Sequence, residues 1–262
     1  MTRRFHGKTA IVTGGASGIG RTTARRLIAE DARVVIADIN EEQARTLADE
    51  LGGNAKAMWL DVSSEPAWEQ AMLDLLSWAG RLDIVCNIAG IGRGGNIEDT
   101  KLEDWDAMIA VNLTGTMLGC KHGVRTIASS GGNGAIINMS SIGGLVGPAD
   151  IAGYNATKGG VTILTKSVAL HCAQRRYPIR CVSIHPTYVD SEMLDPVAAA
   201  AGVTRQSLTA AMAQQVPIGR VATPDDVASA VLFAASDEAS MISGSGIVVD
   251  GAQLAGPPSA HF

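Results

Sequence analysis

The chain has 262 residues, of which 46% are hydrophobic, 18% charged and 4% aromatic, and a formal net charge of −5. That apolar fraction excludes disorder over most of the length. The acidic balance excludes a general nucleic-acid binder and a polybasic membrane anchor, both of which need a basic face.

No apolar run approaches the ~20 residues that cross a bilayer, and the opening MTRRFHGKTAIVTGG lacks the apolar core of a secretion signal. Cys86, Cys120, Cys172 and Cys181 form no CxxC pair and the histidines are scattered. The expectation is a reduced, cytoplasmic protein without disulfides or a metal site.

In chain order, strand-like runs are expected at Thr9–Gly14, Arg33–Ile39, Lys56–Val62, Leu82–Gly90, Gly134–Ser141, Ile179–Pro186 and Gly246–Gly251. Most are continuously apolar, as strands buried on both faces must be. Helical patterns lie between them. Ala44, Leu47, Ala48 and Leu51 share one helix face, with Gly52 ready to close the helix. Ser64 and Pro66 open another helix, and Thr100 with Glu103 suggests a capping box for a third.

The alternation predicts an α/β fold: a single doubly wound Rossmann-type domain over residues 1–262, a seven-stranded parallel sheet with helices on both faces. Residues 189–219 interrupt the rhythm after the sixth strand. They read as one or two helices forming a substrate lid, or as an extra packing pair. The Pro/Gly-containing tail 256–262 is the one candidate for disorder.

Three groups of residues bear on chemistry. Gly14, Ser17, Gly18, Ile19 and Gly20 follow the first strand and open a helix. Such a loop lets backbone N–H groups approach a pyrophosphate, or serves only as a tight turn. Asp38 ends the second strand, 18 residues after Gly20. A carboxylate there can accept hydrogen bonds from an adenosine ribose and repel a 2′-phosphate; the other reading is a solvated acid capping the helix that starts near Asn40. Ile39 supplies no compensating cation. Tyr154 and Lys158 stand four residues apart on one helix face. A nearby ammonium lowers a phenol's pKa, although such a pair alone is often a surface contact. Ser141 lies 13 residues before Tyr154, and Asn112 sits among apolar residues in MIAVNLTG, where it could also satisfy a bent helix backbone.

TGGASGIG, Asp38, LDVS, NIAG, Asn112, Ser141, Tyr154-xxx-Lys158, His185-Pro186 and SGSGIVVDGAQLAG together resemble the short-chain dehydrogenase/reductase family over nearly the whole chain, most similarly bacterial 3β/17β-hydroxysteroid dehydrogenases. The resemblance implies a homotetrameric enzyme that interconverts alcohols and ketones with a nicotinamide cofactor. It assigns Tyr154 as general acid/base and Ser141, rather than Ser140, as the holder of the reacting oxygen. Lys158 would lower the Tyr154 pKa and bind the nicotinamide ribose, and Asn112 would support a proton relay through water. The glycine loop would cradle the pyrophosphate. Asp61 and Val62 would meet the adenine; Asn87, Ala89 and Gly90 the adenosine side; Pro186, Thr187, Val189 and Ser191 the nicotinamide end.

Three positions depart from the family pattern: Ile88 in NIAG, Thr187 after Pro186, and Ala252 after Gly251. Thr187 is β-branched and resists positive φ, so a reshaped nicotinamide end is expected.

The cofactor expected is NAD. Candidate substrate walls are Arg93, Ile142, Gly143, Pro148, Tyr188 and Met193, mostly apolar or small, which suits a hydroxysteroid or another bulky cyclic alcohol. The rival enzyme reading is a 3-oxoacyl thioester reductase, disfavoured by the missing basic residue for NADPH. A rival of another class is a non-catalytic NAD-binding protein, disfavoured by the intact Asn112, Ser141, Tyr154 and Lys158.

Overall fold

A computed structural model describes residues 3–256; the tail, past its first residue, lies outside them. The strands are β1 (Thr9–Thr13), β2 (Arg33–Asp38), β3 (Ala55–Trp59), β4 (Ile84–Asn87), β5 (Gly134–Met139), β6 (Ile179–Pro186) and β7 (Gly246–Val249). They form one seven-stranded sheet in the order β3-β2-β1-β4-β5-β6-β7, with every pairing parallel. The helices are α1 (Gly18–Ala29), α2 (Glu41–Leu51), α3 (Glu65–Ala79), α4 (Leu102–Met108), α5 (Gly115–Ser129), α6 (Ala152–Gln174), α7 (Asp195–Ala200), α8 (Arg205–Ala213) and α9 (Pro224–Ala235).

Side chains alternate through the sheet, so a continuously apolar strand feeds two cores at once. Ala10, Val12, Val34 and Ile36 pack with Leu27 of α1, Leu47 of α2 and Val231 of α9. Ile11, Val35 and Ala37 face the other way, onto Trp68 and Leu75 of α3, Leu118 of α5 and Cys172 of α6. Trp68 is fully buried and satisfies its indole N–H on the Val62 carbonyl at 3.0 Å. The outer strands β3 and β7 are the most solvated.

Several strands stop short of their expected ends. β1 closes at Thr13 because Gly14 turns into the left-handed region, φ +63°. β3 and β4 close at Trp59 and Asn87, where the chain leaves the ladder while Leu60, Val62 and Ile88 stay buried. These departures all lie at the carboxyl edge of the sheet, where ligand sites of open α/β folds are built.

The caps follow the sequence in two cases and not in a third. Gly52 (φ +80°) closes α2, and Ser64 accepts the Ala67 N–H to open α3. The expected Thr100–Glu103 capping box does not form. α4 opens at Lys101 without a side-chain cap, and the Thr100 hydroxyl donates back to the Asn96 carbonyl at 2.6 Å. The Asn96 side chain accepts the Glu98 and Asp99 N–H groups, so an upstream Asx turn has captured the segment. A complete capping box occurs instead at α9, between Thr223 and Asp226.

Residues 189–219 hold a 3₁₀ turn at Glu192–Leu194, then α7 and α8. Arg21 on α1 reaches Glu192 at 2.6 Å, tying this excursion to the first helix. Among the described residues, no helix is long and apolar enough to cross a membrane.

Candidate active site

The strand order reverses between β1 and β4, and a crevice opens at the carboxyl ends of such strands. The Thr13 hydroxyl accepts the Ile88 and Ala89 N–H groups at 3.0 and 3.1 Å, locking the two strand ends across the reversal. A Cβ on Gly14 would lie 2.9 Å from the Ala89 Cα, and one on Gly20 only 2.0 Å from the Gly14 carbonyl oxygen. Side chains at either position would fill the loop with carbon. Gly18 holds φ +47°. Ser17 makes no side-chain cap of α1, and Ser17 and Ile19 remain partly solvated. The first turn of a twelve-residue helix therefore faces the crevice with its positive dipole end. This cradle fits a dinucleotide pyrophosphate.

Asp38 stands beside the loop. One carboxylate oxygen accepts the Ala16 N–H at 3.0 Å and the other the Asn40 N–H at 2.9 Å. Asn40, not Asp38, caps α2 through the Gln43 N–H. Asp38 is thus oriented at the end of β2, while Ile39 is 67% exposed and brings no charge. Asp61 accepts from Ser63, and Val62 packs where Gly115 leaves room. The Asn87 side chain turns away from the crevice, donating to Asn138 at 2.8 Å, with its own oxygen unpartnered. What Asn87 presents at the strand end is backbone.

Asn112 is fully buried within a π-helical turn, Ile109–Thr114, a distortion frequent at functional sites. Its side chain accepts the Ile91 N–H at 2.8 Å and donates to the Ile91 carbonyl at 2.9 Å and to Thr157 at 3.2 Å. It therefore fastens the loop after β4 to α6, the helix that carries Tyr154 and Lys158.

Lys158 is 3% exposed and donates to the Met139 carbonyl at 2.8 Å. Its ammonium lies 5.5 Å from the centre of the Tyr154 ring. Burial pushes the Lys158 pKa down to about 8. Burial also raises the Tyr154 pKa, and a hydrogen bond with the Ser141 side chain works against that rise. Gly90 faces both Asn112 and Lys158; a Cβ there would lie 3.2 Å from the Asn112 oxygen and 3.5 Å from the Lys158 nitrogen.

Ser141 opens the 3₁₀ turn Ile142–Gly144 and accepts the Gly143 N–H at 3.1 Å. Asn112, Ser141 and the Tyr154–Lys158 pair of α6, from three separate segments, thus come together in one arrangement.

Gly143 adjoins this group, with Tyr154 and Asn155 both near the place its Cβ would take. The Pro148 carbonyl is held by Asn155 at 2.8 Å. The Tyr188 hydroxyl donates to Gln215 at 3.0 Å, beyond α8. Met193 is 47% exposed, whereas Ile142 is buried and Arg93 pairs outward with Asp104 at 3.5 Å.

Of the departures from the family pattern, Thr187 keeps a negative φ. Its N–H bonds the Val249 carbonyl and its hydroxyl donates to Gln253, so the β6–β7 pairing is prolonged. Ala252 instead enters the left-handed region at φ +71°, a conformation that costs an L-residue about 1–2 kcal/mol. Sequence reasoning missed Gln253, Thr157 and Thr13 as partners of the site. Each is an ordinary polar residue whose role rests on a through-space bond.

A family model described as "Enoyl-(Acyl carrier protein) reductase" matches residues 14–252. An NADP-dependent (R)-specific alcohol dehydrogenase of Lentilactobacillus kefiri is 36% identical, over 97% of this chain and 100% of its own. A 3-beta-hydroxysteroid dehydrogenase of Comamonas testosteroni is 37% identical over 97% and 98%. A 3-alpha-(or 20-beta)-hydroxysteroid dehydrogenase of Mycobacterium tuberculosis is 40% identical over 98% and 93%. Taken with the glycine cradle and the Ser141–Tyr154–Lys158 arrangement, these matches place the chain in the short-chain dehydrogenase/reductase family, as a nicotinamide-dependent oxidoreductase of alcohols and ketones.

Proposed function

We propose that the protein is an NAD-dependent dehydrogenase of secondary alcohols, acting in the cytoplasm on a hydroxysteroid or another bulky cyclic hydrophobic alcohol. The observation that carries the reading is the linked arrangement of Ser141, Tyr154 and Lys158 beside a glycine cradle that ends at an oriented carboxylate, Asp38. The nicotinamide, when bound, accepts or returns the hydride. Every other task falls to the chain.

Gly14, Ser17, Gly18, Ile19 and Gly20 hold the pyrophosphate and Asp38 the ribose hydroxyls. Asp61, Val62, Ala89, Gly90 and the Asn87 backbone line the adenosine side; Pro186, Thr187, Val189 and Ser191 line the nicotinamide end. Ser141 orients the substrate oxygen. Tyr154 takes the hydroxyl proton in oxidation and returns it in reduction. Lys158 is still mostly protonated at neutral pH and favours the phenolate by its charge. Asn112 holds α6 to the loop after β4, so that the proton leaves along a fixed route.

The substrate class rests on the wall residues and on the relatives. Met193, Val197, Leu145 and Val146 are half exposed around the lid and the turn after Ser141, an apolar rim suited to a fused-ring or alicyclic body. With NAD, kcat/KM for a 3- or 17-hydroxysteroid or cyclohexanol should exceed that for a linear secondary alcohol of equal carbon count by about tenfold, since each buried methylene contributes ~0.8 kcal/mol only where a wall receives it. Equal values for the ring and the linear substrate would remove the cyclic assignment.

We also propose a homotetramer. Met117 on α5, Ile163 and Leu170 on α6, and Val248 on β7 are apolar and exposed, faces that further copies of the chain can cover. Light scattering at micromolar concentration should give four times the chain mass. A single-chain mass would contradict the assembly.

A further inference from the structure

His185 belongs to β6 and is 1% exposed, yet both its ring nitrogens are engaged. Nδ1 lies 3.0 Å from the Ser141 carbonyl oxygen and Nε2 lies 2.8 Å from the Ser183 hydroxyl. A carbonyl oxygen can only accept, so Nδ1 carries the hydrogen. Burial holds the ring's pKa down, with the charge of Lys158 acting the same way, and outweighs the opposing pull of the hydrogen bond to the Ser141 carbonyl. The neutral ring therefore leaves Nε2 as acceptor for the Ser183 hydroxyl, and one tautomer is fixed.

The ring fits because Gly246 of β7, opposite Ser183 in the ladder, leaves room beside it. A Cβ on Gly246 would stand 2.5 Å from Nε2. The Ser141 carbonyl also accepts the Gly144 N–H at 2.9 Å, so the turn alone pins one side of the peptide and His185 pins the other.

We infer that His185 is a positioning residue for the reaction: the Ser183–His185–Ser141 chain of hydrogen bonds fixes the peptide that aims the Ser141 hydroxyl at the substrate oxygen. The inference rests on the role given to Ser141 above.

The test compares His185→Leu with His185→Asn, because the Asn side-chain nitrogen can occupy the place of Nδ1 and Leu cannot donate. In the Leu variant kcat should fall at least about tenfold with substrate KM and NADH affinity within about twofold, the pattern of an interaction expressed in the transition state. Asn should restore most of the loss. In a Ser141→Ala background the Leu substitution should add less than about twofold, because the group it positions is gone. Ser183→Ala keeps the ring and should lower kcat several-fold, which carries the test if the Leu variant fails to fold. Loss of NADH affinity in place of kcat, no rescue by Asn, an effect fully additive with Ser141→Ala, or unchanged kcat in folded variants would each overturn the inference. Full activity in Ser141→Ala alone would instead remove the role of Ser141 on which it stands.

Discussion

Tyr154→Phe should leave a folded protein that binds NADH normally and turns over about 10²–10⁴-fold more slowly, the range for loss of a positioned general acid–base. The substitution keeps the ring on α6 and removes one oxygen. That oxygen is the group whose pKa burial raises and the Ser141 hydrogen bond opposes. In the proposed mechanism Lys158, whose pKa burial brings down to about 8, keeps most of its charge at neutral pH and favours the phenolate. Oxidation needs the deprotonated phenol as base, so its rate should rise with pH as Tyr154 ionises. Reduction needs the protonated phenol as acid and should fall over the same range. Steady-state rates in both directions, with cofactor affinity by fluorescence titration, check the assignment. A Phe variant within threefold of wild type would show that the proton moves elsewhere.

The second large effect concerns the cofactor. Asp38 is held by the Ala16 and Asn40 N–H groups, so its carboxylate cannot swing away without losing both bonds. A 2′-phosphate would bring about two negative charges against it. The adjacent exposed residue is Ile39, which supplies no cation. A difference of ~2–3 kcal/mol corresponds to roughly 30–150-fold in kcat/KM, in favour of NAD(H). The Lentilactobacillus relative bears the opposite dependence in its name, so the choice has to be read from this chain's own residues. Asp38→Ala combined with Ile39→Arg should relax or invert the preference, removing the repulsion and adding a guanidinium that can grip a phosphate in two places. Equal use of NADH and NADPH by the unaltered enzyme would withdraw the ribose role of Asp38.

Much of this was legible in the sequence because it is local. The seven strands declare themselves by apolar runs, since a strand covered on both faces has no polar side to show. The glycine loop, the acid after β2 and the Tyr154–Lys158 pair are set by spacing along one element.

The rest depends on what one segment meets in space. Thr100 resembled a helix cap, but Asn96, four residues upstream, offered a competing turn. Asn87 stood in the right motif, yet its side chain found Asn138 on the neighbouring strand. Thr187 continues the β6–β7 pairing and closes it on Gln253, a partner 66 residues away that no local pattern announces. His185 could not be distinguished from a core histidine until β5, β6 and β7 were side by side.

Hydride transfer itself provides the most direct test. The enzyme would be incubated with NAD and a cyclic secondary alcohol deuterated at its carbinol carbon, and the reduced nicotinamide analysed by mass spectrometry. The account predicts one deuterium in each molecule of reduced cofactor and the matching ketone in equal amount. Reduced cofactor without deuterium, or ketone without reduced cofactor, would contradict it.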